Sequence, residues 1–110
     1  MAEVLFLIMF KKFDLKQEAK FKEDEIFKKV FLEHGHLKAQ VTCLSAGQQI
    51  PPCKMEHDVL FYVISGNGTI IVDGKRKALN PGQAAFVPKE AKWRSIKSKT
   101  KMIILAVQGR

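Results

Sequence analysis

The stretch GQQIPPCKMEHDVLFYVISGNG, residues 47–68, decides the fold. Its second half, VLFYVI at 59–64, is a continuous apolar run of strand length, rich in β-branched and aromatic side chains, and predicts a strand buried on both faces. One face can line a barrel, and the other then needs a second cover. Working outward, residues 28–33 (KKVFLE) and 37–44 (LKAQVTCL) alternate at period two on either side of Glu33-His34-Gly35-His36, which predicts a hairpin with Leu37, Ala39, Val41 and Cys43 on one face. In GTIIVDGKRKAL, Asp73-Gly74 supplies the positive φ angles of a two-residue hairpin turn, and the charged arm KRKAL is expected at an edge. AAFVP and MIILAV complete the strands, separated by Pro81-Gly82 and the polar stretch from Lys97 to Lys101. Asp14 can cap a short helix, although Ile26, Phe27, Val30 and Phe31 fit helical spacing as well as strand spacing. Short strands with Gly and Pro turns predict an all-β sandwich or barrel.

Bulk properties fit one small domain. The chain has 110 residues, 46% of them hydrophobic, enough for a single core that gains from oligomerising. Its two cysteines, Cys43 and Cys53, show neither disulfide-scaffold nor zinc-ribbon spacing, so a reducing cytoplasm is the expected location. The apolar run from Val4 to Phe10 is too short to span a bilayer and follows Glu3 rather than a basic region, which argues against a membrane anchor. It reads either as an extra edge strand or as an extension upstream of a start at Met9. The net charge of +8 comes from lysines scattered among acids through residues 11–29 and from two denser clusters, Lys75-Arg76-Lys77 and KWRSIKSKTK near the C-terminus; no nucleic-acid-binding motif accompanies them, so the charge reads as a solvated surface and no nucleic-acid partner is expected.

The spacing of residues 47–68 resembles the first signature of the cupin family: Gly, five residues, His-x-His, three or four residues, Glu, six residues, Gly. Gly47, Cys53, Met55, Val59 and Gly66 occupy those places. NPGQAAFVPKEAKW, residues 80–93, resembles the second signature, with Pro81-Gly82, Pro88, and Trp93 at the place of the last histidine. The resemblance, of the small cupin 2 conserved-barrel type, implies a jelly-roll barrel over residues 28–108 with a ligand site inside, preceded by an extension and edge segment over 1–27. It does not imply a reaction, because the fold hosts many.

All four places where the family keeps metal ligands are changed. Val59 and Trp93 cannot coordinate a metal as imidazole or carboxylate does, Met55 offers a neutral thioether, and Cys53 is one ligand by itself. These residues read as pocket lining, and no cofactor is expected. An alternative transition-metal site can be drawn from Cys53, His57 and Cys43. His34 and His36 lie at an exposed turn that lacks the supporting shell of a functional site. The adjacent pair His57-Asp58 superficially resembles a histidine base backed by an aspartate, but neighbours on a strand point to opposite faces. A Cys53 nucleophile has no paired base in view. Two functions from different classes follow. One is a metal-free homodimeric cupin that binds a small apolar or aromatic molecule among Cys53, Met55, Val59, Phe61 and Trp93, or serves as a scaffold. The other is a metal-dependent enzyme with a rearranged Cys/His site.

Overall fold

The computed structural model describes residues 10–109. A single helical turn, α1 (Leu15–Glu18), precedes nine strands: β1 (Phe27–His34), β2 (Leu37–Leu44), β3 (Gln49–Cys53), β4 (Val59–Ser65), β5 (Gly68–Val72), β6 (Lys75–Leu79), β7 (Ala84–Val87), β8 (Arg94–Ser98) and β9 (Met102–Gly109). They form two antiparallel sheets, one ordered β1-β2-β9-β4-β7 and the other β3-β8-β5-β6. The main core lies between them, with Leu44, Phe61, Val63, Val87 and Ile104 from the first sheet meeting Ile50, Ile70, Leu79 and Ile96 from the second. This is the all-β jelly-roll expected from the sequence.

The turns follow the local chemistry. Gly35 turns the β1–β2 hairpin at φ +58°, and Asp73 and Gly74 turn the β5–β6 hairpin at +47° and +84°, the paired positive values that the dipeptide predicts. Asp14 caps α1, its carboxylate accepting hydrogen bonds from the backbone N–H groups of Lys16 and Gln17 at 3.1 and 3.2 Å. The ambiguity over residues 26–31 resolves in favour of the strand. Charged β6 lies at a sheet edge, as expected.

VLFYVI departs from expectation on one point. Val59, Phe61 and Val63 are buried in the core, but Leu60 and Tyr62 on the opposite face are 44% and 40% exposed. A second apolar cluster does cover part of that outer face. Leu15, Ala19 and Phe21 from the N-terminal segment pack with Ile64, Ile103, Val41 and Cys43. Among the described residues the cover therefore sits over the β2–β9 side, and stops short of Leu60, Tyr62 and Phe86. The expected shared face of Ala39, Val41 and Cys43 is thus the outer one.

Side chains from the β2–β3 turn hold this N-terminal cover in place. Ser45 Oγ donates to the Lys22 carbonyl at 2.9 Å, and Gln48 Nε2 donates to the carbonyls of Lys22 and Glu25 at 3.0 and 3.1 Å. Lys29 pairs with Glu18, and the Lys101 ammonium stands 5.3 Å from the Phe21 ring centroid. The Val4–Met9 run, with the choice of start attached to it, lies outside the described residues. Among the described residues no helix is long and apolar enough to cross a membrane.

Candidate functional site

Three of the pocket residues expected from the sequence converge. Met55, Val59 and Phe61 are 5%, 6% and 4% exposed and belong to the core cluster between the sheets. Val59 and Phe61 are in phase on β4 and point inward with Val63. Cys53 ends β3 in the other sheet and is exposed, its thiol 3.5 Å from the Lys54 carbonyl. Trp93 is half-buried immediately before β8. Its backbone N–H donates to Asp73 Oδ1 at 3.0 Å and its carbonyl accepts from the Asp73 N–H at 3.2 Å, so the β5–β6 turn fixes the chain as it enters β8.

The alternation of β8 brings a different side chain into the barrel. Arg94 is in phase with fully buried Ile96, and its cross-strand partner on β5 is Val72, which packs against the core cluster. Arg94 therefore projects inward, and Trp93 falls on the opposite parity. The guanidinium carbon lies 5.5 Å from the centroid of the Phe61 ring, a cation–π arrangement across the two sheets. Its Nε and Nη1 are shut off from solvent and have no hydrogen-bond partner. Burial pushes the Arg94 pKa below its ordinary value, and the neighbouring Cys53 opposes this by favouring the charged form. Cys53 and Arg94 are opposed in the β3–β8 pairing, after an irregularity that follows Ile50.

A cavity of about 590 Å³ opens between the β5–β6 hairpin and β7. Its walls include Ile70, Val72, Ala85 and Val87, with Lys75 and Lys77 toward solvent on β6. None of the five sequence candidates is among these walls, yet the pairing register makes Val59 and Phe61, together with Arg94, immediate neighbours of them. Val72 is opposite Arg94, Ala85 opposite Phe61, and Val87 opposite Val59. Directly opposed residues have Cβ atoms about 5 Å apart, so the floor of the cavity adjoins the Arg94–Phe61 pair.

The alternative metal residues are dispersed. Cys43 is fully buried on the outer face of the first sheet, beneath the N-terminal segment, where burial raises its thiol pKa above the ordinary 9.0 against a smaller opposing contribution from a backbone hydrogen bond involving Lys20. Cys53 is exposed in the other sheet, and His57 is half-buried in the bend before β4. Among the described residues no three His, Cys, Asp or Glu side chains form a group that could hold a metal ion. Asp58 does not back His57 by any described hydrogen bond; its carboxylate accepts one from the Lys89 backbone N–H at 2.8 Å and so secures the loop after β7. The ion implied by the family resemblance therefore does not fit these residues. The matching positions lack an imidazole and a carboxylate, and a fixed guanidinium opposite Cys53 would repel a divalent cation.

Comparisons with known proteins agree with this fold. The Cupin domain family matches residues 40–107. An uncharacterized protein of Aquifex aeolicus is 40% identical over 43 residues, which cover 39% of this chain and 36% of that protein. An RmlC-like cupin protein from Desulfovibrio desulfuricans superposes with a TM-score of 0.82 at 18% identity, covering 91% of this chain and 96% of its own. A cupin superfamily protein from Desulfitobacterium hafniense gives 0.79 at 16% identity, with 90% of each chain covered. A conserved Streptococcus pyogenes protein of unknown function also gives 0.79, at 22% identity, over 91% of this chain and 87% of that one. At these identities the structural likeness speaks to fold, while the family match spans most of the chain and includes both strand signatures. The protein belongs to the cupin family.

Proposed function

We propose that this cupin is a metal-independent binding protein that takes a small organic molecule with an apolar or aromatic body between its sheets. The observation that carries this reading is the side-chain set at the places where the family keeps a metal. Cys53, Met55, Val59 and Trp93 offer one thiol, one thioether, an aliphatic group and an indole, while Met55, Val59 and Phe61 contribute apolar surface to the barrel interior. Enclosed apolar surface beside a few polar groups is the usual make-up of a small-molecule site.

The experiment is a metal analysis of tag-free protein, purified without added metal and then exposed to zinc, manganese, iron and nickel before desalting. Metal well below one ion per chain supports the proposal. One tightly held ion per chain that disappears in Cys53→Ala or His57→Ala would overturn it in favour of a metal-dependent site. In parallel, Trp93 supplies an intrinsic probe, because the chain has one tryptophan and it lies beside the barrel residue Arg94. Binding is expected to change its fluorescence across a panel of aromatic and aliphatic compounds.

A further inference from the structure

Arg94 places a charge inside the barrel without an acid to balance it. Its Nε and Nη1 are buried and have no partner, and neither described salt bridge includes it. Phe61 covers the guanidinium at 5.5 Å, which stabilises a cation but leaves its N–H groups unsatisfied. Cys53, opposed to Arg94 in the β3–β8 pairing, is the ionisable neighbour whose charge acts on it, yet Cys53 is exposed and its thiol donates to the Lys54 carbonyl. Two buried, unpartnered nitrogens on a half-buried cation are unfavourable in an empty protein, and the cost falls when an anion supplies the acceptors.

The surroundings limit which anion fits. Val72 opposite Arg94 and Phe61 over its guanidinium are apolar, and in the adjoining cavity Lys75 and Lys77 are matched in number by Asp73 and Glu90, so the arginine leaves one positive charge to balance. A phosphate dianion would bring a second negative charge, which these surroundings, neutral apart from Arg94, do not balance. A carboxylate brings a single charge on an acceptor-only group, and the organic body attached to it can lie against Phe61, Met55 and Val59.

We infer that the barrel ligand is a small organic monocarboxylate, with its carboxylate on Arg94 and its apolar body against Phe61, Met55 and Val59. This rests on the reading of the barrel as a small-molecule site. Arg94 is then a specificity residue, since its unsatisfied N–H groups penalise neutral ligands of the same shape.

The test uses matched acids and amides that differ in the charged group: benzoate and benzamide, phenylacetate and phenylacetamide, hexanoate and hexanamide. Calorimetric titration of the full chain at pH 7 is expected to show at least one acid binding about tenfold or more tighter than its amide. In Arg94→Met that preference is expected to vanish while the weak binding of the amide remains, and Arg94→Lys is expected to keep part of it. A smaller preference in every pair, or an undiminished preference in Arg94→Met, overturns the monocarboxylate assignment. If the amides bind as well as the acids, the small-molecule reading stands and this inference alone falls. If none of the six compounds binds at millimolar concentration, both fall. The wild-type acid-to-amide comparison and Arg94→Lys decide the matter even if Arg94→Met does not fold.

Discussion

Replacing Arg94 by methionine should stabilise the ligand-free protein, although most substitutions in a barrel interior destabilise. Methionine retains much of the arginine stem and can contact the Phe61 ring through its sulfur. The charge and the two buried unpartnered nitrogens are removed. An unsatisfied buried donor costs about 1–3 kcal/mol, and the cation–π contact with Phe61 returns about 0.5–2 kcal/mol, part of which the methionine sulfur replaces. The balance is a gain of about 1 kcal/mol. With an unfolding entropy of roughly 2.1 cal/mol/K per residue, a chain of 110 residues has about 230 cal/mol/K at its midpoint, so this gain raises Tm by about 4 °C. Differential scanning calorimetry of protein freed of small molecules by unfolding, dialysis and refolding provides the measurement. Freeing the protein of ligand is essential, because a ligand bound to the native state raises the wild-type Tm and hides the effect. A fall in Tm of several degrees would refute the reasoning, since it would mean that Arg94 is satisfied within the empty barrel and supports it.

Other outcomes follow from the backbone, the thiols and the outer face. A Cβ at Gly66, whose φ is +79°, would lie 1.8 Å from the Lys101 carbonyl oxygen, whereas one at Gly47, with φ +83°, meets nothing within 4 Å; Gly66→Ala is therefore expected to cost more than about 3 kcal/mol or prevent folding and Gly47→Ala about 1 kcal/mol, as urea denaturation will measure. Exposed Cys53 should react with a thiol reagent at once and buried Cys43 only on unfolding, giving two well-separated steps in an absorbance assay. Because burial raises the Cys43 pKa above 9.0 in the native state, the native protein keeps a proton that the unfolded chain loses; stability should fall as pH rises past about 9, level off once the raised native value is passed, and lose this contribution in Cys43→Ala. We propose a homodimer formed through the part of the outer face that the described residues leave open, where Leu60 pairs across strands with Phe86, 63% exposed, and with Val107; light scattering should give twice the chain mass for the wild type and a folded monomer for Phe86→Glu, and a wild-type monomer at micromolar concentration would overturn the proposal.

The strands that were legible in the sequence are those whose burial is carried by hydrocarbon. β2, β4 and β9 show it directly through alternation or unbroken apolar runs, and the Asp73-Gly74 turn and the Asp14 cap announce themselves through residues that few other conformations favour. β3 and β8 gave no comparable signal. Pro51-Pro52 removes two backbone donors and reads as a break, but both prolines are exposed and lie at the edge of the second sheet, where an absent donor costs little. In β8 the buried positions are filled by Ile96 and by small polar side chains, and hydropathy does not distinguish a buried serine from an exposed one. Ser95 Oγ donates to the Ile50 carbonyl at 2.7 Å and Ser98 Oγ to the Ser45 carbonyl at 2.6 Å, so these hydroxyls are satisfied by the backbone that frames β3.

The same two strands hold Cys53 and Arg94, which explains why the fold was easier to read than the site. Within KWRSIKSKTK an arginine looks like one more solvated cation, and the second signature draws attention to Trp93 because that is where the family's histidine would stand. Yet the signal for Arg94 was present as parity: two residues before Ile96, on a strand whose one large apolar side chain must face the core, the side chain faces the core as well. The metal positions and the arginine are then parts of one physical arrangement. A jelly roll that holds a cation through His and Glu gathers negative and lone-pair donors around its interior, and a guanidinium there would compete for them. Once those donors are a thiol, a thioether, an aliphatic group and an indole, the repulsion is gone and the same interior can hold a fixed positive charge of its own. The barrel interior then carries a positive charge on β8, and the group proposed to complete it is an anion from solution.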